Sequence, residues 1–374
     1  MYGPPGANRP TLDGVNRFTI VLDRGARAAM ATSTHVQVVL ALVSVQLSFA
    51  GWHVLGKWAL DAGAHPLVFA LVREGFASVS MLVLAALMER RTKLRKEDVP
   101  TFVLLGLLIF LNVALFVVGL SKISAVNASV LQPSIPVFAM AVALVMRWER
   151  PSWSKIGGIF LASAGAACMS VIQARLEDQA KKNGGSGSNK EDPAGENIQV
   201  LVGNIMIIVQ CWAIATLLVV QGRYTAKKYP SITQTAWYYS IGTLFTIAVC
   251  IGYFWPPSKL WHEITLIFSS RPAVIALVYA TLAATVYNYT AISWANKHAP
   301  ATLVSLASTL QPVLVSVLSV VFLGVGVSWA EAAFGLVIAA GLVLSVYGRQ
   351  RAGKGHEAVG PDNESLGERL IAED

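Results

Sequence analysis

Runs of about 20 consecutive apolar residues recur along almost the whole chain, and they decide its fold class before any motif is considered. At 1.5 Å per residue such a run covers about 30 Å, the thickness of a bilayer's hydrocarbon core. Ten can be marked: 36–56, 66–88, 101–120, 124–146, 155–173, 199–220, 233–254, 272–293, 301–323 and 329–347. Transmembrane strands would alternate over ~10-residue segments, and this sequence alternates nowhere for long. Only 13% of the 374 residues are charged, about half the share found in soluble proteins. That excludes a soluble enzyme, a disordered scaffold and a nucleic-acid module, so the expected partner is the lipid bilayer and not nucleic acid. The expected fold is an all-α integral membrane protein with ten transmembrane helices.

Prolines punctuate the polar breaks, at Pro66, Pro100, Pro151, Pro230, Pro256-Pro257, Pro272 and Pro300. Residues 1–35 lack the apolar core of a secretory signal and read as a basic N-terminal segment. Residues 174–198, which include Gly184-Gly185-Ser186-Gly187-Ser188, read as a flexible linker between two halves, 36–173 and 199–347. Residues 348–374 are polar and read as a disordered tail. The lysines and arginines then set orientation. With the N-terminus inside, the inner segments hold 20 of them and the outer loops 8, so both termini are expected in the cytoplasm. The net charge of +8 is this same asymmetry seen as a total. Cys168, Cys211 and Cys250 all lie within apolar runs, which argues against a disulfide framework or a zinc site. No metal or other cofactor is expected.

Each half carries the same landmarks. Leu131-Gln132-Pro133 matches Leu310-Gln311-Pro312 at an offset of 179. Ser152-Trp153 matches Ser328-Trp329, and Ala164-Gly165 matches Ala340-Gly341, both at 176, so one gap of three residues is needed. An odd number of helices per repeat sets the second copy upside down relative to the first. Inverted five-helix repeats of this kind build many secondary transporters, with the substrate site near the midplane between the repeats. Generic helix packing would explain any one match. Agreement with the helix number and the linker favours duplication.

A charge at the centre of a membrane helix costs about 2.5–3.5 kcal/mol on insertion scales, so Arg73 and Glu74 in the second span need a reason. Adjacent residues point about 100° apart on a helix and cannot both face one way; at least one should meet another helix or a wet cavity. The alternative is that Arg73 snorkels to the headgroups with Glu74 beside it. Glu74 is the one acid well inside a span, a candidate for a coupling proton or for binding an amine. In the first span Gln46, Ala50, His53 and Lys57 share one face, which reads as a cavity-lining stripe. His53 fits a titrating or a packing role, and snorkelling explains Lys57. Gln132-Pro133 and Gln311-Pro312 are the repeat-related pairs, with Pro136 one turn on. Proline frees carbonyls of the preceding turn, and bends at matching positions of two halves point to a transport site, although a bend can also merely shape packing. Pro133, Pro136 and Pro312 are therefore hinge candidates. Asn112, Asn127, Gln210, Tyr287 and Asn288 are further uncharged candidates, some of which simply bond neighbouring helices. Gly157, Gly158, Gly335 and Gly341 read as close-packing positions. Gly51 to Gly56-Lys57 nearly spells a phosphate loop, but Trp58 replaces the Ser/Thr that would hold magnesium, so no ATPase is expected.

The stretch Phe49-Ala-Gly-Trp-His-Val-Leu-Gly-Lys57, followed by Arg73 and Glu89-Arg90, resembles the start of the plant Walls-Are-Thin-related (nodulin-21-like) transporters. These are EamA-type members of the drug/metabolite transporter superfamily. Leu131-Gln-Pro-Ser-Ile-Pro-Val-Phe138, Asn288-Tyr289, Trp294-Ala-Asn-Lys297 and Phe322-Leu-Gly324 continue the resemblance in order. Two positions depart from the family's pattern: Val325 stands where a glutamate is common, and Glu74 where a histidine is common. The resemblance implies alternating-access transport of amino acids or auxin-like indole acids across the plasma or vacuolar membrane. A nucleotide-sugar or sugar-phosphate carrier of the same superfamily would call for several intramembrane basic residues, and only Arg73 is available. A non-transporting receptor or scaffold is the rival from another class. No span holds two aspartates or a His-Glu-x-x-His motif, so no catalytic residues are expected. A small-molecule substrate is the expected partner, with a coupling proton and a homo-oligomer left open.

Overall fold

Apolar runs become helices because a backbone surrounded by hydrocarbon must satisfy its own hydrogen bonds, and prolines set where most of these helices begin. The computed structural model describes residues 12–89, 93–123, 128–129, 131–148, 152–183, 193–314 and 329–357. Asn127 and residues 184–188 and 322–325, all singled out above, lie outside the described residues. Helix α1 (Leu12–Asp61) starts well before the first expected span. Both α2 (Pro66–Met88) and α3 (Val99–Lys122) carry a proline in the first turn, where a missing N–H costs nothing. Between α1 and α2, Gly63 takes φ +94°, the left-handed region open to glycine. A 3-10 turn at Gln132–Ser134 leads into α4 (Ile135–Val145), followed by α5 (Trp153–Asn183) and α6 (Pro193–Tyr224). Next come α7 (Ser231–Tyr253), the short amphipathic α8 (Pro257–Ser269) and α9 (Arg271–Thr281). A π-helical segment, Leu282–Tyr287, joins α9 to α10 (Asn288–His298). α11 (Ala301–Leu306) runs into a second 3-10 stretch at Ala307–Leu310, and α12 is Trp329–Glu357.

Among the described residues, six stretches are long and apolar enough to cross a membrane: Val36–Asp61, Pro66–Met88, Lys96–Lys122, Ile198–Tyr224, Ser231–Tyr253 and Arg271–His298. Shorter apolar helices, Gln132–Val145, Ala301–Leu314 and Ala333–Ser345, fall on the fourth, ninth and tenth expected spans, and α5 covers the fifth. The helices run past two of the expected boundaries: α5 stays helical to Asn183 and α6 begins at Pro193, and α12 continues to Glu357. Hydropathy misses such polar extensions, yet lengthening an existing helix adds a hydrogen bond without a new nucleus.

Helices α1–α3 pack against α6, α7, α9 and α10 around one apolar core. The loops meet in two groups. At one end Glu89 accepts hydrogen bonds from the amides of Ile232 (3.1 Å) and Thr233 (2.7 Å), and Asp98 pairs with Lys228 at 2.8 Å. At the other, the His65 ring meets Phe254 edge-on at 4.8 Å.

Helices α5 and α12 pair along a seam of small residues. A Cβ on Gly158 would stand 2.4 Å from the Ser345 nitrogen, and one on Gly341 2.4 Å from that of Ala162. Gly157 and Gly335 have nothing within 4 Å, so close packing explains Gly158 and Gly341 but not the other two, which point away from the seam. Gly158→Ala should therefore lower the thermal unfolding midpoint in detergent, corresponding to about 1–3 kcal/mol of overpacking. Gly157→Ala should be neutral or gain up to about 1 kcal/mol of helix propensity. Equal losses from both would show that the seam lies elsewhere.

Candidate functional site

Burial in a membrane bundle forces polar side chains to find one another, because there is no water to compete. Nine of the polar candidates from the sequence, Gln46, His53, Arg73, Glu74, Asn112, Gln132, Gln210, Asn288 and Gln311, are buried, none more than 5% exposed. Seven of them, Gln46, His53, Arg73, Asn112, Gln132, Gln210 and Gln311, line a single cavity between α1, α2, α3, α4, α6, α10 and α11.

The repeat-related glutamines are bonded reciprocally. Gln132 donates from Nε2 to Oε1 of Gln210 on α6 at 3.2 Å, while Gln311 donates from Nε2 to Oε1 of Gln46 on α1 at 2.9 Å. Each partner lies in the opposite half of the sequence. The first pair extends into a relay: Gln210 Nε2 donates to Asn112 Oδ1 (2.6 Å), and Asn112 Nδ2 to the Tyr289 hydroxyl (2.5 Å). The second ends on an unpartnered acceptor, Gln311 Oε1. Both glutamines sit at 3-10 turns. Pro133 is inside the first, Pro136 follows it in the opening turn of α4, and Pro312 comes just after the second. The matching breaks expected from Gln-Pro are thus present in both places, as tightened turns.

Arg73 and Glu74 do point apart, and no ion pair joins them among the described residues. Arg73 is 2% exposed; its Nε donates to the Thr285 hydroxyl at 2.7 Å, and its guanidinium lies 4.7 Å from the centre of the Trp52 ring, a cation–π contact. Among the described residues its terminal nitrogens have no hydrogen-bond partner, on a side chain that lines the cavity. Snorkelling is therefore not its role. Thr285 lies in the π segment and in turn donates to Ala280 O, five residues back, at 2.7 Å. The π turn is what brings this hydroxyl to the arginine. Single π turns of this kind are frequent at functional sites.

Two candidates lie off the cavity wall. Glu74 sits between α2 and α7, one carboxylate oxygen accepting from the Thr246 hydroxyl and the other, Oε1, without a partner. Asn288 donates to Val45 O at 3.5 Å and braces α10 against α1. Tyr287 faces outward, its hydroxyl 2.6 Å from that of Ser44. On α1 the predicted stripe holds for Gln46 and His53, whereas Lys57 turns to Leu120 O and Asp61. His53 meets the Phe116 ring edge-on at 5.1 Å.

Sequence reasoning missed the aromatic wall and the hydroxyls of α11. Phe49, Trp52, Phe116 and Tyr289 face the cavity, as do Ser305 and Ser308. Ser305, Ser308 and Gln311 recur every third residue, the 3-10 period, and that spacing was readable. Nothing in the sequence marked Thr285. Among the described residues no three His, Cys, Asp or Glu side chains gather in a way that could hold a metal ion.

Comparison with known proteins agrees with this architecture. A family profile described as the EamA-like transporter family matches residues 36–171 and 201–347. A WAT1-related protein of Arabidopsis thaliana is 24% identical over 83% of this chain and 84% of its own length. Protein WALLS ARE THIN 1 of the same plant is 23% identical over 86% of each chain. One solved crystal structure shares the fold, with a TM-score of 0.59 at 14% identity, over 83% of this chain and 96% of that one.

Proposed function

The chain belongs to the EamA-like transporter family, and from that premise we propose that it carries a small organic solute by alternating access, with the central cavity as the solute site. The reciprocal amide pairs, Gln132 with Gln210 and Gln311 with Gln46, carry this reading. They tie each half to the other around the cavity through equivalent residues, as two inverted five-helix repeats would. The 3-10 turns beneath them supply the bends on which such halves can rock. Arg73 offers free guanidinium donors to a carboxylate, and Trp52, Phe116 and Tyr289 offer flat faces to a ring. Amino acids or auxin-like indole acids fit that combination, which is also what the relationship to WAT1-related proteins suggests. In proteoliposomes, Arg73→Gln should cut uptake of carboxylate solutes at least tenfold. Gln132→Leu and Gln311→Leu should each lower uptake with expression intact. Unchanged uptake in all three would remove the cavity from the mechanism.

Glu74 is the proposed proton-coupling group. It is buried beside the binding arginine and keeps one oxygen unpartnered, and α7 can sense its charge through Thr246. Glu74→Gln should abolish the dependence of flux on a pH gradient while sparing solute exchange. A variant that transports like the wild type in both assays would leave Glu74 with a purely structural role.

The proposed orientation places both termini in the cytoplasm. The lysine-rich loop ends joined by Asp98 and Lys228 then face inward together, and the ends of α5 and α6 at Asn183 and Pro193 lie on the opposite side. Tags at either terminus should be protected from protease in sealed right-side-out cells, and a cleaved N-terminal tag would reverse the assignment.

A further inference from the structure

The outer surface of the bundle carries a second recess, lined by neither the glutamines nor Arg73. It opens between α1, α2, the π segment and α10 and is walled by Ala41, Leu84, Leu282, Val286 and Ala291. It meets a smaller groove at Leu282 and Tyr287, which both recesses share. The neighbouring surface is apolar and exposed, with Leu87 78% and Met88 71% exposed. The recess therefore faces hydrocarbon, where water has no place.

Its two ends differ. One closes on Tyr287 and the Ser44 hydroxyl; the other opens at Lys297 and His298, both exposed. Among the described residues Lys297 has no carboxylate partner, and His298 hydrogen-bonds only through Nδ1, to Trp294 O at 2.8 Å. The carboxylate at that end, Glu89, is already engaged by three donors of the first turn of α7. From Tyr287 to His298 is about 16 Å of helix at 1.5 Å per residue, half of a ~30 Å hydrocarbon core. The recess is one leaflet deep.

An apolar slot one leaflet deep, ending in an unpaired ammonium and an imidazole, matches one chemistry. We infer that it is a binding site for an anionic glycerophospholipid, with an acyl chain along the π segment and the phosphate at Lys297 and His298. Only the choice of leaflet rests on the proposed orientation, which would make it the anionic cytoplasmic one. The π segment is the shared wall: Leu282, 56% exposed, faces the lipid while Thr285 holds Arg73.

Native mass spectrometry of the full chain in mild detergent, titrated with phosphatidylserine or phosphatidylcholine of matched acyl chains, tests the site without reference to transport. Phosphatidylserine should bind at least tenfold more tightly. Lys297→Gln with His298→Gln should bring it to within about twofold of phosphatidylcholine, and Ala291→Phe, which fills the slot, should weaken both lipids. In the unaltered protein, phosphatidylserine with a photoreactive acyl chain should crosslink to residues 282–298, which serves even where a variant folds poorly. Equal binding of the two lipids, an unchanged preference in the double variant, crosslinks confined to other helices, or a second copy of the chain seated on this face would each overturn the inference.

Discussion

Everything at the centre of this protein depends on amide groups being satisfied where water is absent. A buried side-chain hydrogen bond between membrane helices is worth about 1 kcal/mol on average or less, so Gln132–Gln210 and Gln311–Gln46 are not what holds the bundle together. Apolar packing does that. The amides decide something else: which surfaces of two halves may face each other. Leaving one of these groups unpaired costs more than a pair gains, so the halves are restricted to arrangements in which both sets are met. A carrier needs such restricted but exchangeable pairings, and neutral amides exchange partners without moving charge.

The neighbours Arg73 and Glu74 illustrate the same economy with ionised groups. Placed in succession on α2, they are sent to different helices, the arginine to the π segment and Trp52, the carboxylate to Thr246 on α7. A tight ion pair between them would have spent both charges on each other. Among the described residues, their separation leaves the guanidinium's terminal nitrogens without a partner on the cavity wall and the carboxylate with one oxygen unengaged.

Much of this was legible in the sequence because a bilayer imposes a coarse and unforgiving pattern. Polar residues in apolar runs stand out, and Gln46, His53, Arg73, Asn112, Gln132, Gln210 and Gln311, all marked that way, share one cavity. The Gln-Pro repeat marked both 3-10 turns. What the pattern hid was angular. Helical spacing could say that Arg73 and Glu74 diverge but not which would face the cavity, and it could not tell that Tyr287, a polar candidate, turns outward. Glycines looked alike in the sequence, yet only contact distances separate Gly158 from Gly157. Polar helix extensions beyond residues 173 and 348 escaped notice because hydropathy measures solvent preference and not backbone continuity.

The π segment has a consequence for the geometry downstream. A helix turns about 100° per residue, and Leu282–Tyr287 accommodates roughly one residue more than an α-helical path of the same length. Everything after it, including Asn288, Tyr289 and Ile292, is therefore indexed one position round the barrel of the helix. Loss of a single residue from this stretch would leave a regular and well-bonded helix, but it would swing the Tyr289 hydroxyl out of the relay and carry a lipid-facing side chain inward. The insertion works as a phase shift: it sets which side of one continuous helix faces the cavity and which faces the outer surface of the bundle.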